Sequence, residues 1–298
     1  MTVLSTLFKA TVISFLSIAG LQSCERTYLP TRVFDVHLHG SPEQADQLAR
    51  LRHHGVTKIA LSSSWTLQQS YEKSADLDVL QGLMLPCPNG KVPYSGQSCF
   101  ENGEEWPSLE WVEALMKERK IQFLGEVLTQ YHGISMSDPA IFPYYSLAEK
   151  YEIPVGIHTG SAGPDHGCPN FKEELGTPAL LEDALKTFPA MKVWIMHAGA
   201  PYHDEAIRML KTYPQLYADI SVINNPDITS QPEFENLMRK MIDAGLEDRM
   251  MFGSDNADME KVLNSILNLR MLSANQKDKI LFVNAERFFA KTEKSTER

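Results

Sequence analysis

Apolar residues along this chain gather into short runs, and the stretches between the runs carry apolar positions at helical spacing. The first run, Val33, Phe34 and Val36, consists of β-formers and ends in His37 and His39, spaced i, i+2. Further runs at 56–61, 82–85, 121–128, 153–158, 192–197, 216–220 and 250–253 read as strands. A helix is expected from Pro42, with Ser41 as its cap and Gly55 as its stop. Others are expected at 108–120, 138–151, 178–188, 204–213 and 231–244, with 259–267 and 274–289 closing the chain. Two long loops, 86–107 and 159–177, interrupt the alternation, and loops of that length inside a compact domain are usually functional or disordered. Eight strands alternating with helices at roughly 30-residue spacing predict an α/β fold, a (β/α)8 TIM barrel. A doubly wound open sheet is the alternative architecture.

The first 23 residues break the pattern. Lys9 is their only charge, and 10–21 is apolar and small. About 12 apolar residues are too few to span a bilayer and fit the hydrophobic region of a signal peptide. Leu21-Gln22-Ser23-Cys24 resembles a bacterial lipobox, in which Cys24 becomes the lipidated N-terminus of the mature protein. The expectation is therefore a signal peptide over 1–23 and one domain over 25–298, exported to the bacterial periplasm or cell envelope. Membrane contact would then come only through the N-terminal lipid. An oxidising compartment makes one disulfide plausible among Cys87, Cys99 and Cys168. Cys87 with Cys99 would staple a single loop, but spacing alone leaves the pairing open.

Composition adds little except by exclusion. With 43% hydrophobic and 22% charged residues the chain is an ordinary globular one. A net charge of −10 argues against nucleic acid and against anionic lipid as partners, leaving a small-molecule substrate as the expected partner. A homo-oligomer is compatible with the sequence.

The chemistry lies in where the polar residues fall. In a barrel, the C-terminal strand ends and the loops that follow them build the active site. Those ends present His37 and His39 on strand one, Glu126 on four, His158 on five, His197 on six and Asp255 on eight. Alternation along a strand points His37 and His39 the same way, with roughly 7 Å between their Cα atoms. Taken singly, each of these residues is as well explained by packing, pairing or capping; taken in order around a barrel, they describe a metal site. Imidazole nitrogen and carboxylate oxygen suit Zn, with Mn, Fe or Ni as alternatives. Such ions bring the pKa of a bound water to about 7 and polarise a carbonyl. Asp255 is the candidate for a double role, as ligand and as the base that shuttles the proton.

These residues resemble a known family. H-L-H, the G-E of strand four, I-H-T-G, M-H-A-G, G-S-D and the terminal N-A-E-R-F-F-A are similar to the amidohydrolase superfamily, nearest its amidohydrolase-related (amidohydrolase-2) branch of hydrolases and decarboxylases. The resemblance implies that His37, His39 and Asp255 ligate a first metal, and His158 the same ion or a second. It implies that His197 ligates a second metal or acts as acid, base or substrate contact. Many binuclear members carry a carbamylated lysine on strand four; Glu126 stands there in this chain, which leaves one or two ions open.

The resemblance implies a metal-dependent hydrolase of an ester, lactone or amide, with a metal-dependent decarboxylase as the alternative. A non-catalytic ligand-binding lipoprotein is less favoured, because the ligand set is complete. His132, His166 and His203 follow strands and are secondary candidates for substrate contact, as are the loop aromatics Trp65, Tyr94, Trp106, Tyr131 and Phe171. His53 and His54 are expected at the surface. No arginine sits at a strand's C-terminal end, which disfavours a bidentate carboxylate clamp; Lys91 and Lys172 are the available substitutes.

Overall fold

Eight parallel strands form in the computed structural model, which describes residues 32–71, 77–161 and 164–290. They are β1 (Val33–His39), β2 (Val56–Ser62), β3 (Asp78–Gln81), β4 (Leu124–Val127), β5 (Val155–Ile157), β6 (Val193–Ile195), β7 (Leu216–Asp219) and β8 (Met250–Met251). Cys24 and the stretch read as a signal peptide lie outside the described residues. Strand pairing runs β1-β2-β3 in one arc and β4 through β8 in the other. Backbone hydrogen bonds join the arcs at both seams. Gly125 N donates to Leu83 O at 2.9 Å and Leu128 N to Leu85 O at 3.0 Å; across the other seam, Val36 N donates to Phe252 O at 3.0 Å and Asp255 N to His37 O at 2.8 Å. The result is the expected TIM barrel.

Strands β4 to β8 are shorter than the apolar runs that encode them. The run at 82–85 lies just beyond β3 and serves as the seam to β4, bonding to it by single backbone contacts. The helix after β1 starts late, at Gln44–His53, because Ser41 does not cap it. The Ser41 hydroxyl instead closes a turn on Glu43, donating to its carboxylate at 2.9 Å and accepting from its backbone N–H at 3.1 Å. Serine caps do form elsewhere: Ser108 Oγ accepts from Trp111 N at the start of Leu109–Lys117, and Ser230 and Glu233 form a capping box at Gln231–Asp243. The closing helix expected over 274–289 is broken into Ala274–Asp278, a π-helical turn over Lys279–Val283, and Asn284–Phe289.

That last helix plugs one end of the barrel. Phe289 packs on Phe34 (ring centroids 5.3 Å), Phe123 (6.1 Å) and Trp194 (5.4 Å). The indole of Trp194 fits only because residue 156 on the adjacent strand is glycine: a Cβ there would stand 2.3 Å from the ring. With the strand starts filled by this aromatic floor, the opposite end is left to the polar residues. Among the described residues no helix is long and apolar enough to cross a membrane.

Candidate metal centre

All six residues expected at the strand ends converge at that opposite mouth. His37 and His39 belong to β1 and Glu126 to β4; His158 directly follows β5, His197 comes two residues after β6, and Asp255 four residues after β8. Ligand atoms of His37, His197 and Asp255 lie within 4.8 Å of one another, as do those of His37, His39 and Glu126, and those of Glu126, His158 and His197. His39 Nε2 is 3.1 Å from Asp255 Oδ1 and 3.5 Å from Glu126 Oε2; His37 Nε2 is 3.7 Å from Asp255 Oδ1. His197 and Asp255 both hold left-handed backbone, at φ 59° and 49°, as non-glycine residues do where a site is over-determined by its surroundings.

The hydrogen bonds orient every ring the same way. Nδ1 of His37 meets Asp219 Oδ2 at 3.1 Å, and Nδ1 of His39 meets the Ser62 carbonyl at 3.0 Å. Nδ1 of His158 meets Glu126 Oε1 at 2.5 Å, and Nδ1 of His197 meets Ser221 Oγ at 2.9 Å. Three of these partners can only accept. The fourth, Ser221, gives its one hydroxyl proton to Asp219 Oδ1 at 2.5 Å and so also accepts from the imidazole. Each Nδ1 therefore carries a proton, and Nε2 is the nitrogen each ring turns toward the centre. Nε2 of His37 and of His158 are buried without a hydrogen-bond partner, a costly arrangement that a cation would relieve.

The charges are strongly coupled. Burial works against a charged His37, but Asp219, Asp255 and Glu126 outweigh it and hold the imidazolium up to about 10. Burial likewise opposes ionisation of Glu126, yet His158, His39 and His37 bring its carboxyl down to about 2. Asp255 is held well below the carboxylate range in the same way, against burial and by His37, His39 and His197. His197 goes the other way, down to about 4, through burial and the repulsion of His158 and His37. Glu126 and Asp255 thus keep their charge at the mouth of the barrel, and the donor set suits a divalent cation.

Sequence reasoning missed the groups that hold the histidines. Asp219 bonds the His37 ring and, through Oδ1, also accepts from His197 N at 3.1 Å. It ends β7, the one strand of the second arc where no candidate was sought. Asp35 accepts from His37 N and from Ser254 N and Oγ, tying β1 to the segment after β8; burial raises its carboxyl to about 6. A charge inside V-F-D-V was the available signal.

A cavity of about 570 Å³ opens above the centre, walled by Tyr94, Tyr131, His166, Thr159, Ser161, Thr229 and Asn256 with apolar Leu128, Val222, Ile223 and Ile228. Among the described residues no lysine or arginine lines it, so Lys91 and Lys172 do not take the place of an arginine. Asp255 is the most open carboxylate of the centre, with its side chain 28% exposed against 3% for Glu126. The secondary candidates divide. His166, Tyr94 and Tyr131 face the cavity, whereas His132 accepts from Trp106 Nε1 at 3.3 Å, His203 lines a neighbouring hollow, and Phe171 packs behind Tyr131. Trp65 turns to a separate hollow beside Phe100 and Trp111. His53 and His54 end the first helix, away from the site.

Fold and site together define a TIM-barrel protein with a histidine–carboxylate centre at the C-terminal strand ends. The amidohydrolase family model matches residues 108–291, more than half of the chain, and takes in Glu126, His158, His197 and Asp255. The chain belongs to the amidohydrolase family. Among solved structures it is similar to a dihydroorotase from Campylobacter jejuni (16% identity, TM-score 0.60, covering 88% of this chain and 85% of that one). It is also similar to a 4-oxalomesaconate hydratase from Rhodopseudomonas palustris (17%, 0.58, 86% and 95%). A third, a 5-carboxyvanillate decarboxylase from Sphingomonas paucimobilis, aligns at 11% identity and a TM-score of 0.57 over 87% and 99%. At these identities the likeness is one of fold. No curated protein matches the chain by sequence.

Proposed function

We propose that this protein is a metal-dependent hydrolase of a small, uncharged ester, lactone or amide. The observation that carries the reading is the common orientation of the four imidazoles, each with Nδ1 bonded outward and Nε2 left for a shared centre. His37, His39 and Asp255 would hold one divalent cation, zinc by the donor types; Glu126, His158 and His197 would complete its site or hold a second. A cation so held supplies the Lewis acidity that polarises a carbonyl and makes water acidic near neutral pH. Asp255, ionised and open to the cavity, accepts the proton of the attacking water and returns it to the leaving oxygen or nitrogen. His197, kept neutral by its buried setting, stands beside the cavity as ligand or substrate contact. Among the described residues the cavity wall offers hydroxyl, amide and imidazole groups but no lysine or arginine, which favours an uncharged substrate.

A decarboxylase is the second reading, because decarboxylases share the fold: one similar structure is a 5-carboxyvanillate decarboxylase and another a 2,6-dihydroxybenzoate decarboxylase. Elemental analysis followed by a lactone, ester and amide panel, with and without chelator, separates the two. Chelator-sensitive hydrolysis is the expected result. Stoichiometric metal with no hydrolysis, but CO2 release from hydroxybenzoates, would replace the hydrolase by the decarboxylase.

We also propose that the chain is exported and tethered through Cys24. The disulfide between Cys87 and Cys99 supports this, since such bonds persist in oxidising compartments. Cys24→Ser is expected to move the protein from the membrane to the soluble fraction.

A further inference from the structure

His39 is held differently from the other three imidazoles. Its Nδ1 bonds the Ser62 carbonyl, but one face of its ring lies against the phenol of Tyr94, with centroids 4.1 Å apart and planes at 38°. The Tyr94 hydroxyl points to that same carbonyl, at 3.4 Å. Tyr94 belongs to no barrel strand. It sits in the turn of a small hairpin, V-P-Y-S-G, inside the long loop 86–107. Val92 O accepts from Ser95 N and Gly96 N, Val92 N donates to Gln97 O at 2.8 Å, and Lys91 bridges Ser98. Pro93 presets the turn and Gly96, at φ +68°, closes it with left-handed backbone. The hairpin's two ends are joined by the Cys87–Cys99 disulfide, Cα to Cα 6.3 Å, and both cysteines are buried. Its base is anchored to the barrel where Trp65 N, three residues after β2, donates to Cys99 O at 2.8 Å.

We propose that Tyr94 is a positioning residue for the metal centre: the disulfide-closed hairpin presses its ring on His39 and keeps Nε2 of His39 aimed at the shared centre. The inference rests on the reading of the centre as a metal site. It assigns to loop 86–107 and its disulfide a task beyond stability: the hairpin completes the orientation that β2 alone gives through one hydrogen bond. Groups that orient a metal-ligating histidine typically contribute 10–100-fold in affinity, and the ring face is one of two restraints here.

Zinc affinity, measured on the full chain by competition with a chromophoric chelator, tests this without reference to turnover. Tyr94→Ala is expected to weaken zinc binding about 10-fold, and Tyr94→Phe, which keeps the ring, to stay within about 2-fold of the parent. Cys87→Ala with Cys99→Ala is expected to weaken binding to a similar degree, and adding Tyr94→Ala to that pair to change it little further, because both act through the same ring. Unchanged affinity in Tyr94→Ala, an equal loss in Tyr94→Phe, or fully additive losses would each overturn the inference. If the cysteine pair fails to fold, as circular dichroism would show, the two Tyr94 variants decide alone, since both keep the disulfide. A parent chain that binds no zinc defeats both the metal reading and this inference; a parent that binds zinc beside an unaffected Tyr94→Ala defeats only the inference.

Discussion

His37 and His39 stand two residues apart on one strand and face one centre, yet different parts of the molecule hold them. His37 is gripped from inside the barrel: its ring by Asp219 of β7, its backbone by Asp35, each fully buried. His39 is gripped at the rim, its backbone N–H by Asn256 and its ring by one β2 carbonyl and a loop tyrosine. The difference teaches where the site can vary. Supports that belong to the barrel cannot move without disturbing the strand ladder, whereas supports on a stapled loop can be altered one at a time. Specificity and tuning are therefore expected on the His39 side, where the cavity wall is also built, and stability on the His37 side.

Asp255 touches both halves, and its replacement by asparagine should have the largest effect. Asn keeps an oxygen for the ion but cannot take a proton, so kcat should fall on the order of 10³-fold while the metal stays bound. Unchanged turnover in a hydrolysis assay would remove Asp255 from its proposed role. Next comes Asp219→Ala, which takes from the His37 ring its charged acceptor, leaving only Ser221 Oγ at 3.1 Å, and from the His197 backbone its own. Loss of one partner from a buried pair costs about 3–5 kcal/mol, so denaturant melts should show a large destabilisation beside a loss of zinc affinity of about 100-fold. Tyr94→Ala should cost little stability by comparison. Equal destabilisation by the two would erase the contrast between barrel-held and loop-held halves. Smaller than the Asp219 loss is the contribution of the ion itself: at a free concentration 100 times its Kd, zinc should stabilise the fold by about 2.7 kcal/mol, read as a chelator-reversible rise in Tm.

Much of this was legible beforehand, for identifiable reasons. A strand followed by a helix is written in local periodicity, so eight of each could be counted and the barrel inferred. The six central residues could be picked out because each interrupts an apolar run at its C-terminal end, where a polar side chain needs a reason. Their supporters were hidden. Asp219 and Asp35 look like any polar residue in a strand until β7 and β8 are laid beside β1, and nothing local announces that Tyr94 will lie on a ring 55 positions earlier. Ser41 is the same lesson in miniature, since its hydroxyl closes a local turn on the carboxylate and backbone N–H of Glu43.

By itself, then, the chain's pattern determined the element order, the barrel and the identity of the polar residues at its mouth, all of which follow from short-range spacing and from the burial of apolar runs. Tertiary structure alone decided which nitrogen of each histidine faces the centre, which cysteines pair, and which loop aromatics reach the cavity. Those outcomes depend on hydrogen-bond partners and ring contacts between segments far apart in sequence, and only the closing of the barrel brings such segments within reach of one another.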